Sequence, residues 1–192
     1  MKQFSMSCSK EIAKLGWAKR WAGPFSILSA SYWGKQYINT NKRVLGDGFH
    51  NILFTHKNGI TTAYRRKEEN VSFGELLAKK AVENNEILIE WSQNLKKESD
   101  RIRELIKKPV ESFLNVEKYK KFEKSFEDYL PFQVAVNTVP DYLPPTLLEK
   151  YQSILEDARK YSESVYNETE DFFKSLAKLI GEKENLKPKL VL

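Results

Sequence analysis

The sequence predicts an α+β fold that is predominantly α, an antiparallel helical bundle with a small N-terminal β-hairpin element. Three observations carry this expectation. Asn58-Gly59 separates two runs rich in β-branched and aromatic residues, one opening at Ile52 and the other closing at Tyr64, and the pair suits the positive φ angles of a two-residue hairpin turn. From Ser72 onward, apolar residues recur at three- and four-residue steps, the period of a helix with one buried face. Those stripes are wider than a strict heptad seam, which favours bundle packing over a long coiled coil.

Element by element, the N-terminal part is the least regular. Ile12, Leu15 and Lys19, with Trp17 and Trp21, fit a short amphipathic turn closed by Gly23-Pro24. Phe25 to Ile38 is apolar and aromatic, and its spacing fits strand and helix alike. Gly46-Asp47-Gly48 marks a turn ahead of the hairpin. A first helix places Phe73, Leu76, Leu77, Lys80 and Ala81 together and stops at Asn84-Asn85. A long helix then carries Ile87, Trp91, Leu95, Ile102, Leu105 and Ile106 on one stripe, with Pro109 beyond its end.

A third helical stretch lines up Phe113, Val116, Tyr119, Phe122, Phe126, Tyr129 and Leu130, and Pro131 is expected to interrupt it. Leu147, Leu148, Tyr151, Leu155, Ala158 and Tyr161 form the next stripe, and Val165, Phe172, Leu176 and Ile180 the last. For that last helix Asn167 and Glu170 are spaced as a capping pair, and Gly181 stands as the C-terminal cap. The resulting division is 1–70 for the aromatic segment with its hairpin, 71–182 for the bundle and 183–192 for an apolar tail. That tail reads as a docking segment or as the point where a longer chain was cut.

Composition narrows the function classes. The 12% of aromatic residues, including Trp17, Trp21, Trp33 and Trp91, provide large side chains for burial and argue against wholesale disorder. Cys8 is the only cysteine, so neither an internal disulfide nor a thiolate cluster can form, as fits a reducing cytoplasmic setting. No apolar run approaches the ~20 residues of a membrane span, and the N-terminus is too polar for a signal-peptide core. The net charge of +6 would suit nucleic acid through Arg101, Arg103, Lys107, Lys108, Lys118, Lys120 and Lys121. Interspersed acids, as in Glu117-Lys118-Tyr119-Lys120-Lys121, favour a solvated helix face instead.

The chemical inventory is short. His50 and His56 are the only histidines, and spacing supplies no third ligand for a metal. No Gly-x-Ser-x-Gly elbow and neither common glycine-rich phosphate loop occurs. Arg65-Arg66-Lys67 closes the hairpin beside Glu68 and Glu69, which are placed to neutralise it. Trp33 and Tyr37, four residues apart, form an aromatic shelf if helical. Trp33, Tyr37, His50 and Arg65 are therefore the candidate ligand-contact residues, for a phosphorylated or nucleotide substrate of an enzyme to which this chain contributes a pocket. No catalytic residue, metal or cofactor is expected.

The hairpin phrase Leu53-Phe54-Thr55-His56-Lys57-Asn58-Gly59, then Ser72-Phe73-Gly74, and the distal Leu155-Glu156-Asp157-Ala158-Arg159-Lys160-Tyr161-Ser162-Glu163 with Val165-Tyr166 and Phe172 carry a resemblance. Over about residues 25–185, the chain resembles the mostly helical N-terminal region of proteins carrying a phosphoenolpyruvate-utilising mobile domain, relatives of phosphoenolpyruvate synthase and pyruvate phosphate dikinase. In that family a histidine on a swivelling domain, preceded by Thr or Ser in a glycine-rich stretch, carries the phosphoryl group. Neither His50 nor His56 stands in such a stretch, so no catalytic residue transfers. The resemblance implies a non-catalytic accessory or docking module in phosphotransfer. Its partner would be another protein or a C-terminal mobile domain, and any enzyme containing it a phosphotransferase.

Overall fold

The computed structural model describes residues 12–186 and shows a predominantly α protein with one small antiparallel sheet near its N-terminal end. Strands β1 (Trp17–Gly23), β2 (Ile52–Lys57) and β3 (Ile60–Arg66) lie in the order β1-β3-β2. Helix α1 (Ile27–Leu45) intervenes between β1 and β2. After the sheet come α2 (Lys67–Glu83), α3 (Ile87–Ile106), α4 (Val116–Thr138), α5 (Pro145–Ser162) and α6 (Val165–Lys183). Short 3₁₀ turns at Val110–Leu114 and Val139–Asp141 flank α4.

The hairpin forms as its turn chemistry dictates. Lys57 pairs with Ile60 across a two-residue loop, and Asn58 and Gly59 take φ of 52° and 76°. Two positive φ values in succession define the turn whose twist matches the flanking strands.

The third strand is a correction. Trp17–Gly23 forms an edge strand on β3 and not an amphipathic turn, because β3 supplies hydrogen-bond partners that local periodicity cannot reveal. The register slips between Lys19, opposite Tyr64, and Trp21, opposite Ala63. Tyr64 and Ala63 face opposite sides of the sheet, so this bulge turns Trp21 to the inner face while Trp17 stays outside. Trp17 there lies under Arg66, with the guanidinium carbon 4.7 Å from the ring centroid. On the inside, Trp21 meets Phe25, Trp33 and Phe54 at centroid distances of 5.6–5.9 Å.

Phe25 to Ile38 resolves in favour of helix. Ser26 caps α1, its side chain accepting from the Ser29 amide, and Gly46 closes it at φ 88°. Gly34 is where α1 rests on the sheet: a Cβ there would come within 2.6 Å of the Phe54 ring. In α3, Leu88, Trp91, Ser92, Leu95, Glu98, Ser99 and Ile102 form the buried stripe. Ser92 and Ser99 return their hydroxyl protons to the carbonyls of Leu88 and Leu95, so neither is left unsatisfied. With these small residues in its stripe, α3 packs against α4, α5 and α6 and forms the centre of the bundle.

Several boundaries differ from expectation. Helix α2 begins at Lys67, ahead of Ser72. Phe113 belongs to a separate 3₁₀ turn, and Asn115 starts α4 by accepting from the Glu117 and Lys118 amides. Pro131 does not interrupt α4. It removes one backbone donor, yet it is buried along with Leu130, Val134 and Ala135, and that packing holds the helix continuous. Asn167 lies inside α6, while Glu170 serves a different helix end, described below. Gly181 is also internal: Asn185 takes the left-handed position at φ 52°, and the Leu186 amide donates back to the Gly181 carbonyl at 2.8 Å. Cys8 and the tail from Lys187 onward lie outside the described residues.

Candidate functional site

Burial, not solvent access, governs three of the four candidate contact residues. Trp33, Tyr37 and Arg65 are 0%, 3% and 6% exposed, at the seam between α1 and the inner face of the sheet. Period-2 alternation along β3 puts Thr61, Ala63 and Arg65 on that face. The Arg65 guanidinium carbon lies 3.8 Å from the Phe49 ring centroid and 5.0 Å from that of Tyr37. No carboxylate lies within 4.0 Å of it among the described residues. Burial pulls its pKa down to about 10 against the opposing influence of Tyr37, so Arg65 remains a cation at neutral pH. Aromatic faces take the place of a counter-ion.

His50 does not join this cluster. It is exposed on the loop ahead of β2, where its amide donates to Glu69. His56 lies on β2, its Nδ1 2.8 Å from Thr61 Oγ1. The Thr61 hydroxyl already donates to the Phe25 carbonyl, so Nδ1 must be the donor and carry the proton. The two histidines therefore occupy separate places. Among the described residues, no group of three metal-ligating side chains occurs.

A one-directional hydrogen-bond chain leads out of the buried cluster. Tyr37 and Tyr166 share a bond of 2.7 Å, and the Tyr166 hydroxyl lies 3.0 Å from Gln133 Oε1. Arg65 can only donate, so a chain running toward it would leave the Tyr37 proton without an acceptor beside a cation. Hence Tyr37 donates to Tyr166, and Tyr166 donates to Gln133. Burial raises the pKa of both phenols, which stay protonated and able to donate.

The second feature is apolar and open. A groove of about 590 Å³ runs between α1, the start of α4 and the end of α6, lined by Leu28, Tyr32, Phe113, Val116, Phe173 and Ile180, among others. Val116 is 65% exposed, Leu28 45% and Ile180 37%. Sequence reasoning placed Val116 and Ile180 in core stripes and missed the groove. The available signal was position: Val116 is the first residue of its helix, where few neighbours remain to cover it.

The basic residues considered for nucleic acid are partly committed elsewhere. Arg103 donates to the Tyr161 carbonyl at 2.7 Å and pairs with Glu168 at 3.2 Å, tying α3 to the α5–α6 turn. Arg101 pairs with Glu98 and Asp128 at 3.5 and 3.8 Å. Among the described residues, no helix is long and apolar enough to cross a membrane.

Fold and site together define a helical bundle with a three-stranded sheet, a buried aromatic–cation seam and an open apolar groove. No family model, curated protein or solved structure matches the chain.

Proposed function

We propose that this chain is a non-catalytic helical docking module whose groove between α1, α4 and α6 receives an amphipathic segment of a protein partner. The observation that carries the reading is the exposure of Leu28, Val116 and Ile180 around one continuous apolar groove. Exposed apolar patches of this kind, rimmed by polar residues, are surfaces for association. An amphipathic helix would present anchors at i, i+3 or i+4, and i+7 to such a groove.

Selection of a displayed peptide library against the chain tests this. Enriched peptides should show that spacing of apolar residues and lose at least tenfold in affinity when Val116→Glu and Ile180→Glu are combined. Enrichment of polar peptides, or equal binding by the variant, would count decisively against the groove.

The identity of the partner is a further part of the proposal. The resemblance carried by Leu53–Gly59, Ser72–Gly74, Leu155–Glu163, Val165-Tyr166 and Phe172 supports reading it as a swivelling phosphocarrier domain, in the same or another chain. Titration with a purified mobile domain of phosphoenolpyruvate synthase should give saturable binding that the groove variant loses. Absence of binding at millimolar concentration removes the phosphotransfer part and leaves docking to be judged by the peptides.

A further inference from the structure

On the other side of Tyr166 from the aromatic seam lies a polar pocket of about 390 Å³. Its wall comes from one face of α5 and the turn after it, with Glu156, Arg159, Lys160 and Glu163, and Tyr129, Gln133 and Asn137 line it from α4. The four charged residues are spaced three and four apart, the separation at which helical side chains ordinarily pair. Here they do not: among the described residues, none of the four has an opposite charge within 4.0 Å. The pocket is thus electrically balanced, with its charges uncombined.

The α4 side contributes a donor. Because the chain from Tyr37 through Tyr166 ends on Gln133 Oε1, the Nε2 amide of Gln133 is left to serve the pocket. Tyr129 is fully buried behind the pocket and gives its one proton to the Ser162 carbonyl at 3.5 Å, so it backs the wall and leaves the binding to Gln133. Glu156 has one oxygen occupied by the Gln152 amide and the other free to accept.

We infer that this pocket binds a free α-amino acid, its carboxylate on Arg159, Lys160 and the Gln133 amide, its ammonium on Glu156. Balanced charge excludes the simpler ligands. A bare oxyanion meets Glu156 and Glu163, and a bare cation meets Arg159 and Lys160. A molecule carrying both charges a few bonds apart satisfies both sets. The volume falls within the range of small-molecule sites and leaves room for a side chain.

Thermal unfolding of the whole chain with each of the twenty L-amino acids, beside ethylamine and propionate as single-charge controls, tests the assignment. A site with Kd ~0.1 mM raises Tm by roughly 5–10 °C at 10 mM ligand. At least one amino acid should give such a rise and neither control should. Arg159→Ala, an exposed position, should weaken binding about tenfold or more without altering the ligand-free Tm, and Gln133→Leu should weaken it comparably. No rise with any amino acid, equal rises with the controls, or an undiminished rise in Arg159→Ala overturns the inference. The groove variant of α4 and α6 should keep the rise, so the two sites succeed or fail separately.

Discussion

The Ser26 amide donates to Glu170 Oε1 at 3.0 Å, joining the start of α1 to a carboxylate on α6 that is 144 residues away in the chain. The Ser26 hydroxyl reaches the other carboxylate oxygen at 3.3 Å, and Lys174 approaches Glu170 at 3.4 Å. Glu170 is 2% exposed. A negative group at a helix N-terminus satisfies free amides and complements the helix dipole. Here it also fastens the first long helix to the last.

Glu170→Ala is expected to cost about 1–3 kcal/mol, because it strands a part-buried amide and hydroxyl. Glu170→Gln keeps an acceptor and should cost less. Urea denaturation of the three chains checks the order, and equal midpoints for all three would show that the cap contributes nothing.

Gly74 lies where α2 meets Tyr142: a Cβ there would stand 2.2 Å from the Tyr142 ring. Alanine in a helix is otherwise favoured over glycine by roughly 1 kcal/mol. Gly74→Ala should therefore destabilise the wild-type chain, by about 1–3 kcal/mol for overpacking. The same substitution in a Tyr142→Ala background should be neutral or stabilising. A double-mutant cycle measures this, and the sign must reverse if the contact is responsible.

Alkaline pH should unfold the protein. Burial raises the pKa of Tyr32, Tyr37, Tyr129 and Tyr166 above the ordinary value of 10.0. Above pH 10 the unfolded chain loses phenolic protons that the folded chain retains, so stability falls as pH rises, by at most ~1.4 kcal/mol per pH unit per group. Arg65 has the opposite sign: its pKa is lowered to about 10 from 12.5, so between those values the unfolded chain binds the extra proton. Four phenols outweigh one guanidinium. Urea midpoints should be level from pH 7 to 9 and drop by pH 11, with a shallower drop in Tyr166→Phe. A rise in the midpoint above pH 10 would mean that Arg65 dominates.

Much of the fold was legible locally. Asn58-Gly59 announced its turn because few residue pairs accept two positive φ values. The α3 stripe was readable because helical side chains three and four apart share a face, although Leu88, fully buried, lay just outside the stripe as read. Trp21 was not legible. A single bulge decides which side of the sheet it faces, and the bulge exists only in the pairing with β3. Of the candidate residues, Trp33, Tyr37 and Arg65 do meet, but as a buried seam, since β3 is the central strand and α1 covers its inner face. The polar pocket was unreadable because Gln133 and Arg159 come from different helices.

The order of residues alone determined the hairpin and the helical character of the chain from Ser72, because each depends on neighbours a few positions apart. Only the tertiary structure decided that Pro131 stays helical, that Glu170 caps α1, and that Val116 and Ile180 border an open groove. Those outcomes are contacts between distant segments, and their free energies arise only when the segments share one core.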